Sequence, residues 1–177
     1  RNALRLLLVG CMLQRPEHQD DALETLRNVL LEDPEHAEAQ RLMAEHLLRT
    51  GNRSELLDLL RQQLMNAQGR NDAAAVKAGA LRLGHELEID GDGVEAASVY
   101  RGALEVAPRD AELLRALLNH LEGEDDQVER AEVLEQLVEI EDVSAAAERA
   151  LALAELRLRL EDGAGALTAL VKGYGRK

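Results

Sequence analysis

The stretch Leu83–Pro108 places the strongest constraint on the fold of this 177-residue chain. Two helical patterns in it are separated by a break at Gly91–Asp92, and a proline ends the second pattern. Within the second pattern, Ala96, Tyr100 and Ala103 follow one another at spacings of four and three residues. These spacings put the three side chains on one face of a helix. The stretch therefore predicts two consecutive helices joined by a tight turn.

The same spacing recurs along the whole chain, which indicates a repeated structural unit. Further triplets begin at residues 22, 56, 130 and 166, so that most steps are about 34 residues long, and the step from 56 to 96 is longer by six. We read this longer step as an insertion around Gln68–Asp72, in a turn or short linker. The additional triplets are Ala22, Leu26 and Val29; Leu56, Leu60 and Gln63; Arg130, Leu134 and Leu137; and Ala166, Leu170 and Gly173.

This order of residues resembles the tetratricopeptide repeat (TPR), a helix–turn–helix unit of 34 residues whose pattern ends A-x3-F-x2-A-x4-P. Ala96, Tyr100, Ala103 and Pro108 carry the best match. The resemblance covers nearly the whole chain as five degenerate repeats in one domain, 1–177, and it implies an all-α fold. We expect a right-handed α-solenoid, a TPR-like superhelix of about ten helices in antiparallel hairpins. The alternative is a closed helical bundle with one central core, which would have no shared period. The predicted repeats are 2–34, 35–66, 72–108, 109–142 and 143–173.

Helix bounds follow from the apolar periodicity and from residues that start or stop helices. We expect Ser54 to cap the fourth helix, Asp92 the sixth, and Asn71 or Asp72 the fifth. Asp142 or Ser144 is expected to cap the ninth. The predicted helices with both bounds are 2–14, 18–32, 35–49, 110–121, 127–140 and 165–172. The fourth, fifth and ninth helices are predicted to end at residues 66, 89 and 160.

The charge of the chain argues against two classes of partner. The net charge is −13, and the acidic excess lies mainly in the second half. Residues 1–88 carry 14 acidic and 11 basic residues, whereas residues 89–177 carry 20 and 10. Nucleic acids and anionic membranes bind clustered Lys and Arg, so we expect no nucleic-acid partner and no membrane insertion. Arginine outnumbers lysine 18 to 3, which we attribute to genome composition, and we expect a bacterial source.

The compartment is weakly constrained by the sequence. Cys11 is the sole cysteine, so an internal disulfide is excluded, and a reducing cytoplasm is favoured. No stretch approaches the roughly 18 apolar residues of a membrane span. The chain begins Arg-Asn-Ala inside a helical pattern, from which we expect a fragment of a longer protein.

The motifs that would indicate catalysis or metal binding are incomplete, and we expect no enzyme, metal or cofactor. Asp90–Glu95 begins like a calcium loop, but the fifth and twelfth ligand positions are Val94 and Arg101. No two of the five histidines are three or four residues apart, so we interpret them as surface residues. Cys11 has no local histidine partner and is interpreted as a buried thiol.

An acidic stripe on the eighth helix is the densest charge feature. Ten acidic residues and the single base Arg130 lie between Glu122 and Asp142. The spacing of the stripe predicts that it is the solvent-exposed face of an amphipathic helix. The more specific hypothesis is that the stripe is a docking strip for a basic partner. The residues of the stripe are Glu129, Glu132, Glu135 and Glu139.

The resemblance also implies where a partner would bind. First helices of successive TPR repeats line a concave groove, and polar residues on helices with apolar faces suit peptide capture. We therefore predict a non-catalytic protein–protein interaction or scaffold module that binds a peptide or helix. The alternatives are a structural segment that self-associates through its ends as a homodimer, Leu4–Leu8 and Ala166–Val171, and a regulatory region of a larger signalling protein or enzyme. The predicted groove residues are Arg41, Glu45, Arg82, His85, Arg115 and Asn119.

Overall fold

The structure is a computed structural model that describes residues 2–13 and 15–175. The chain divides into two compact units, Arg1–Arg70 and Asn71–Lys177. In the described parts of both units, helices alternate with short turns and no strand is present. The all-α class and the paired arrangement of ten α-helices, both expected from the sequence, are confirmed.

The first unit is built from two helix pairs. Helix α1 contacts α2, α2 contacts α3, and α3 contacts α4. Helix α1 also contacts α3, so the first helices of the two pairs lie side by side. A short 3-10 turn, Pro16–His18, joins the first pair. The α-helices described in this unit are α1 (Asn2–Met12), α2 (Gln19–Glu32), α3 (Ala37–Thr50) and α4 (Arg53–Gly69).

The second unit is built from three helix pairs. Helices α5 and α6 pack together, as do α9 and α10, and α7 contacts both α5 and α6. Helix α8 contacts α7, α9 and α10. The α-helices described in this unit are α5 (Ala73–Ile89), α6 (Gly93–Val106), α7 (Ala111–Leu118), α8 (Gln127–Ile140), α9 (Val143–Arg159) and α10 (Gly163–Tyr174).

The face that carries the recurrent triplets forms the core of the helix pairs. Twelve of the fifteen triplet residues are buried, while Gln63, Arg130 and Leu170 are half-buried. In the second unit, Ala131 and Leu134 of α8 belong to one apolar cluster with Leu153, Leu156 and Ala169. Removing these apolar side chains from water is the main stabilising contribution to such a stack. The recurrence in the sequence is therefore a recurrence of packing positions, and the exact repeat limits stay a prediction.

Four of the turns share one local design. A residue with positive φ ends the preceding helix region, and the next residue, Asn or Asp, accepts a hydrogen bond from a backbone N–H in the first turn of the following helix. Glycine takes positive φ easily, whereas a side chain there costs free energy. The turns are Gly51–Asn52, Asn71–Asp72, Gly91–Asp92 and Glu161–Asp162.

The caps and bounds of most helices agree with the predictions, and α8 agrees at both ends. Asp72, Asp92 and Asp142 cap their helices as expected. The expected cap Ser54 is wrong, because Asn52 accepts from the Glu55 N–H and α4 begins at Arg53.

The predicted bounds of three helices are also wrong. Helix α4 continues to Gly69, through residues interpreted as a linker. Helix α7 ends at Leu118, three residues early. Helix α10 spans Gly163–Tyr174 and is longer than predicted, because Asp162 caps it ahead of Gly163 and accepts a hydrogen bond from the Gly165 N–H. None of the described helices is both long enough and apolar enough to cross a membrane.

Candidate functional site

A groove between α1 and α3 is the largest concave feature among the described pockets. It lies within the first unit, is open to solvent, and has a volume of about 760 Å³. Volumes of this size are typical of sites that hold a small molecule or a few side chains of a partner. It is lined by Leu6, Leu7, Gly10, Cys11, Leu13, His36, Glu38, Arg41, Leu42, Glu45, His46 and Arg49.

The floor of this groove is apolar, because both helices turn their core-facing edges toward it. Leu6 and Leu13 of the α1 segment and Leu42 of α3 are buried, whereas Leu7 is exposed at the edge. Gly10 lies between them, and a Cβ atom placed there would have no neighbour within 4 Å. The space above Gly10 is therefore open, and an apolar side chain of a partner can enter it.

One rim of the groove is a closed set of charges on α3. Arg41 donates to Glu38 through Nη2 at 2.7 Å and also to Glu45, which lies one turn further along. The hydrogen bond from Arg41 holds the pKa of Glu38 below its usual value, and the two carboxylates raise the pKa of Arg41. The predicted groove residues Arg41 and Glu45 thus both line the groove, where they are paired with each other. Because all three side chains are about half exposed, we expect this pairing to contribute little stability.

Arg49 and His46 line the groove beside the end of α1. The Arg49 Nη2 atom donates to the carbonyl oxygen of Leu13 at 2.8 Å, which satisfies an acceptor at the end of α1. The same nitrogen lies 3.2 Å from His46 Nδ1. His46 is buried, and this burial, together with the charge of Arg49, lowers its pKa. Because His46 is buried, its interpretation as a surface histidine is wrong. The lowered pKa means that His46 is neutral at physiological pH.

Two further residues of the groove were missed or misread from the sequence. The Nδ1 atom of His36 is buried without a hydrogen-bond partner among the described residues. A buried polar atom in this state gains from a donor or acceptor brought by a ligand. Cys11 is exposed, which overturns its interpretation as a buried thiol.

The other predicted groove residues lie in the second unit. Arg82 and His85 are exposed on α5, and His85 Nδ1 lies 3.9 Å from Glu88. Arg115 on α7 pairs instead with Glu141, whose side chain is only 1% exposed and which also accepts from Arg149 at 3.3 Å. Asn119 is exposed beside a smaller pocket at the start of α6. The structure does not gather these four residues around one of the described pockets.

The acidic stripe is largely neutralised by cations of neighbouring helices. Arg101 makes two hydrogen bonds to Glu129, at 2.6 and 2.8 Å. Glu135 accepts from Arg157 at 2.8 Å, and Lys172 lies within 3.2 Å of both Glu135 and Glu139. Arg109 also reaches Glu139 at 3.2 Å. A basic partner would therefore have to displace these cations, and the docking strip stays a prediction.

A polar cluster joins three consecutive helix segments of the second unit. Tyr100 donates to Glu88 at 2.9 Å, and His120 Nε2 lies at the same distance from the same carboxylate oxygen. The rings of Tyr100 and His120 lie 5.9 Å apart. Burial and the hydrogen bond to Glu88 raise the pKa of Tyr100. This cluster joins α5, which carries Arg82 and His85, to α6 and to the turn after α7, which carries Asn119. Among the residues that the structure covers, no group of three His, Cys, Asp or Glu could hold a metal ion.

Comparison with known proteins identifies the architecture. A solved structure described as "MamA RS-1 ArsTM double mutant" matches 97% of this chain and 93% of its own, with a TM-score of 0.52 and 18% sequence identity. MamA is a TPR-containing protein. The fold is TPR-like. No protein-family model matches the sequence, and no curated protein matches it either.

The TPR-like fold places the α1–α3 groove in a clear structural context. At 18% identity the likeness to MamA extends to the fold alone. In this fold the groove lies between the first helices of two successive pairs, α1–α2 and α3–α4. That is the surface on which the sequence resemblance led us to expect a partner.

Proposed function

We propose that this chain is a non-catalytic protein-interaction module that binds a peptide or helix of a partner protein in the α1–α3 groove. The groove itself carries the proposal: an apolar floor lies between two helices, next to rim charges of both signs. An amphipathic segment satisfies such a surface by placing apolar side chains on the floor and polar ones at the rim.

The chemistry of the lining defines the segment that fits best. Leu6, Leu7 and Leu42 favour aliphatic anchors, and the open space above Gly10 accommodates one of them. Glu38, Arg41 and Glu45 already compensate one another in part, so the rim needs no strongly charged ligand. His36 offers one ring nitrogen for a hydrogen bond. We therefore expect a segment with aliphatic residues at helical spacing and moderate net charge.

Obstruction of the groove tests this function. A library of displayed peptides is selected against the protein, and recovered peptides are measured by isothermal titration. Gly10→Trp should abolish binding, because the indole would fill the open space, while the helix should tolerate it. Gly69→Trp is the matched control, since Gly69 also has no neighbour within 4 Å but lies outside the groove. Equal binding to both variants, or no enrichment of peptides by the unsubstituted protein, would refute the proposal.

The predicted residues of the second unit are a separate element of this proposal. Arg82 and His85 are exposed on α5, and Asn119 is exposed in the turn after α7, so they are available to a peptide bound on the second unit. Charge reversal of Arg82 should then weaken those selected peptides that are insensitive to Gly10→Trp. Unchanged binding of all selected peptides would refute a role for Arg82.

A second candidate function is self-association of the chain. It is favoured by exposed apolar residues on α1 and α10, including Leu4, Leu8, Leu167 and Val171. Surfaces of this kind often mark contacts with another protein. The role as a regulatory region of a larger signalling protein or enzyme stays a prediction on which the described contacts do not bear.

A further inference from the structure

We propose that His46 selects the segment bound in the α1–α3 groove, because its Nε2–H donates a hydrogen bond to the side-chain carboxamide oxygen of a Gln or Asn in that segment. The inference rests on the proposed function of the groove and names one polar group that the bound segment carries. It is supported by the tautomer of the His46 ring, by the position of the ring, and by the charges around it.

The place of the proton on the His46 ring follows from its neighbour Arg49. A guanidinium group only donates hydrogen bonds, so His46 Nδ1, which lies 3.2 Å from Arg49 Nη2, is the acceptor. Burial and the charge of Arg49 keep the ring neutral by lowering its pKa. A neutral imidazole that accepts at Nδ1 carries its proton on Nε2. Nε2 is therefore a donor.

The orientation of this donor is fixed by contacts behind it. The Nη2 atom of Arg49 has two hydrogens, and it also donates to the carbonyl oxygen of Leu13 at 2.8 Å. The guanidinium group is thus held between the end of α1 and the His46 ring. Because Nδ1 is bound to a fixed group, the opposite nitrogen keeps its direction before any ligand arrives, and a preorganised donor gives a larger preference than a mobile one.

The position of the ring makes this donor selective. His46 is only 5% exposed, yet it lines the groove. Among the described residues, none forms a hydrogen bond with Nε2. A segment that fills the groove separates this N–H from water, so binding loses free energy unless the segment supplies an acceptor in exchange. Segments with an oxygen acceptor at this point are therefore preferred over segments without one.

His36, the other histidine of the groove, provides a comparison. It caps the start of α3, ten residues before His46, which is about 15 Å along the helix. Its Nδ1 atom is buried without a hydrogen-bond partner among the described residues, so no neighbour there fixes its tautomer. His36 accepts or donates as the ligand requires, whereas His46 only donates.

The charges around His46 favour a neutral acceptor over a carboxylate. Arg49 lies in the last turn of α3 and beside the end of α1, and the C-terminal end of a helix carries about half a negative charge. These two helix ends balance the charge of Arg49. The rim set of Glu38, Arg41 and Glu45 adds one net negative charge. A carboxylate is repelled here, whereas a carboxamide presents its oxygen without a net charge.

The depth of His46 selects among the neutral side chains. The hydroxyl oxygens of Ser and Thr lie close to the backbone of the residue that carries them. The oxygen of Gln or Asn lies further out, so it reaches a ring that is buried between two helices. The amide nitrogen of that side chain faces a groove that is open to solvent, where water accepts its hydrogens.

Nitrogen NMR of isotope-labelled histidine rings tests the tautomer in the free protein. At neutral pH we expect the His46 ring to be uncharged, with its proton on Nε2. Arg49→Met removes the donor that faces Nδ1, so the form protonated on Nδ1 should become populated as well. A His46 ring that carries its proton on Nδ1 in the unsubstituted protein, or that is charged at this pH, would overturn the proposal.

Peptides recovered from the displayed library measure the selectivity. We expect Gln or Asn at one position among the aliphatic anchors, and replacement of that residue by Met should weaken binding about tenfold. On His46→Leu the same replacement should change the dissociation constant less than about twofold. Both peptides are measured on the same variant, so an unfolded fraction of that variant cancels in the ratio. His46→Gln should retain part of the preference, since its amide also donates.

His36→Leu is the matched control, because it removes the other histidine ring of the same groove. It should leave the preference for Gln or Asn unchanged. Loss of the preference in this variant, or its persistence in His46→Leu, would contradict the role of His46. A peptide with Glu at the selected position should bind more weakly than the Gln or Asn peptide, and tighter binding of the Glu peptide would overturn the neutral class of ligand.

Gly10→Trp separates this inference from the proposed function. Recovered peptides that are displaced by Gly10→Trp but show no preference for Gln or Asn would leave the groove as the binding site and refute selection by His46. A library that yields no peptide would overturn both.

Discussion

The ring of Tyr100 on α6 lies against the backbone of Gly84 on α5. A Cβ atom at Gly84 would overlap the ring, so this pair requires the absence of a side chain. The Tyr100 hydroxyl then reaches Glu88, one turn further along α5. Gly84 and Tyr100 therefore set the distance between the two helices.

Gly84→Ala should destabilise the second unit by about 1–3 kcal/mol, because overpacking outweighs the gain in helix propensity. Urea denaturation, with hydrogen exchange followed in α5 and α6, measures the effect. Gly10→Ala is the control at the matching place of α1, where nothing lies within 4 Å, and it should be neutral or stabilising by up to about 1 kcal/mol. Equal effects of the two substitutions would show that the Tyr100 contact is unimportant.

Tyr100→Phe should lower the free energy of unfolding by about 0.5–1.5 kcal/mol, because it removes the hydrogen bond to Glu88 and keeps the ring. Thermal denaturation checks this loss. Tyr174→Phe is the control, since Tyr174 is exposed on α10 and its hydroxyl is available to water. If both variants melt together with the unsubstituted protein, the hydroxyl makes no net contribution.

The buried His46 should make the first unit sensitive to mild acid. Its pKa is lowered by burial and by Arg49, partly opposed by Glu55. The unfolded chain therefore binds a proton on this residue more readily than the folded chain does. The contribution of neutral His46 to the free energy of unfolding is complete above the ordinary histidine pKa of about 6.5. This contribution is lost as the pH falls below that value.

His46→Gln should flatten this pH dependence between about pH 7 and 5, a range that brackets the ordinary histidine pKa. Urea denaturation at several pH values gives the slope. His18→Gln is the control, because His18 is exposed. An unchanged slope in the His46 variant would assign the acid sensitivity to other groups.

Glu161→Gly should stabilise the α9–α10 pair by about 0.5–1 kcal/mol, because Glu161 has a φ of 61° that glycine adopts without strain. Gly91→Ala places a side chain at a φ of 81° in the equivalent turn and should destabilise by a similar amount. Thermal denaturation of both variants is the measurement. A loss of stability in the Glu161 variant would mean that its side chain makes a contact worth more than the strain.

The helices and their shared core positions follow from the sequence because they depend on neighbouring residues. Asp92 caps α6 through the N–H of Glu95, three residues away, and Tyr100 occupies a buried position set by local spacing. The predicted end of α4 is wrong because this local dependence is weak there. Residues Asn66–Gly69 have little preference for helix or turn, and the helix that precedes them continues through them.

The candidate site depends on residues distant in the sequence and is less predictable. Arg49 donates to the carbonyl oxygen of Leu13, 36 positions away, and both residues line the groove. Likewise, Lys172 neutralises Glu135 from 37 positions away, which spacing within one helix does not show. Arg41 and Glu45 were predicted because the resemblance places them on the first helix of a repeat, while His36 and His46 carry no local signal that separates them from surface histidines.

The recurrent turn, a residue with positive φ followed by Asn or Asp, has a consequence for how such a chain can change in length. Each of these turns is formed by its own two residues and by the first turn of the helix that follows. No distant side chain is needed to form it. A helix pair whose two helices are joined by such a turn therefore carries its own turn with it when the pair is duplicated in the gene.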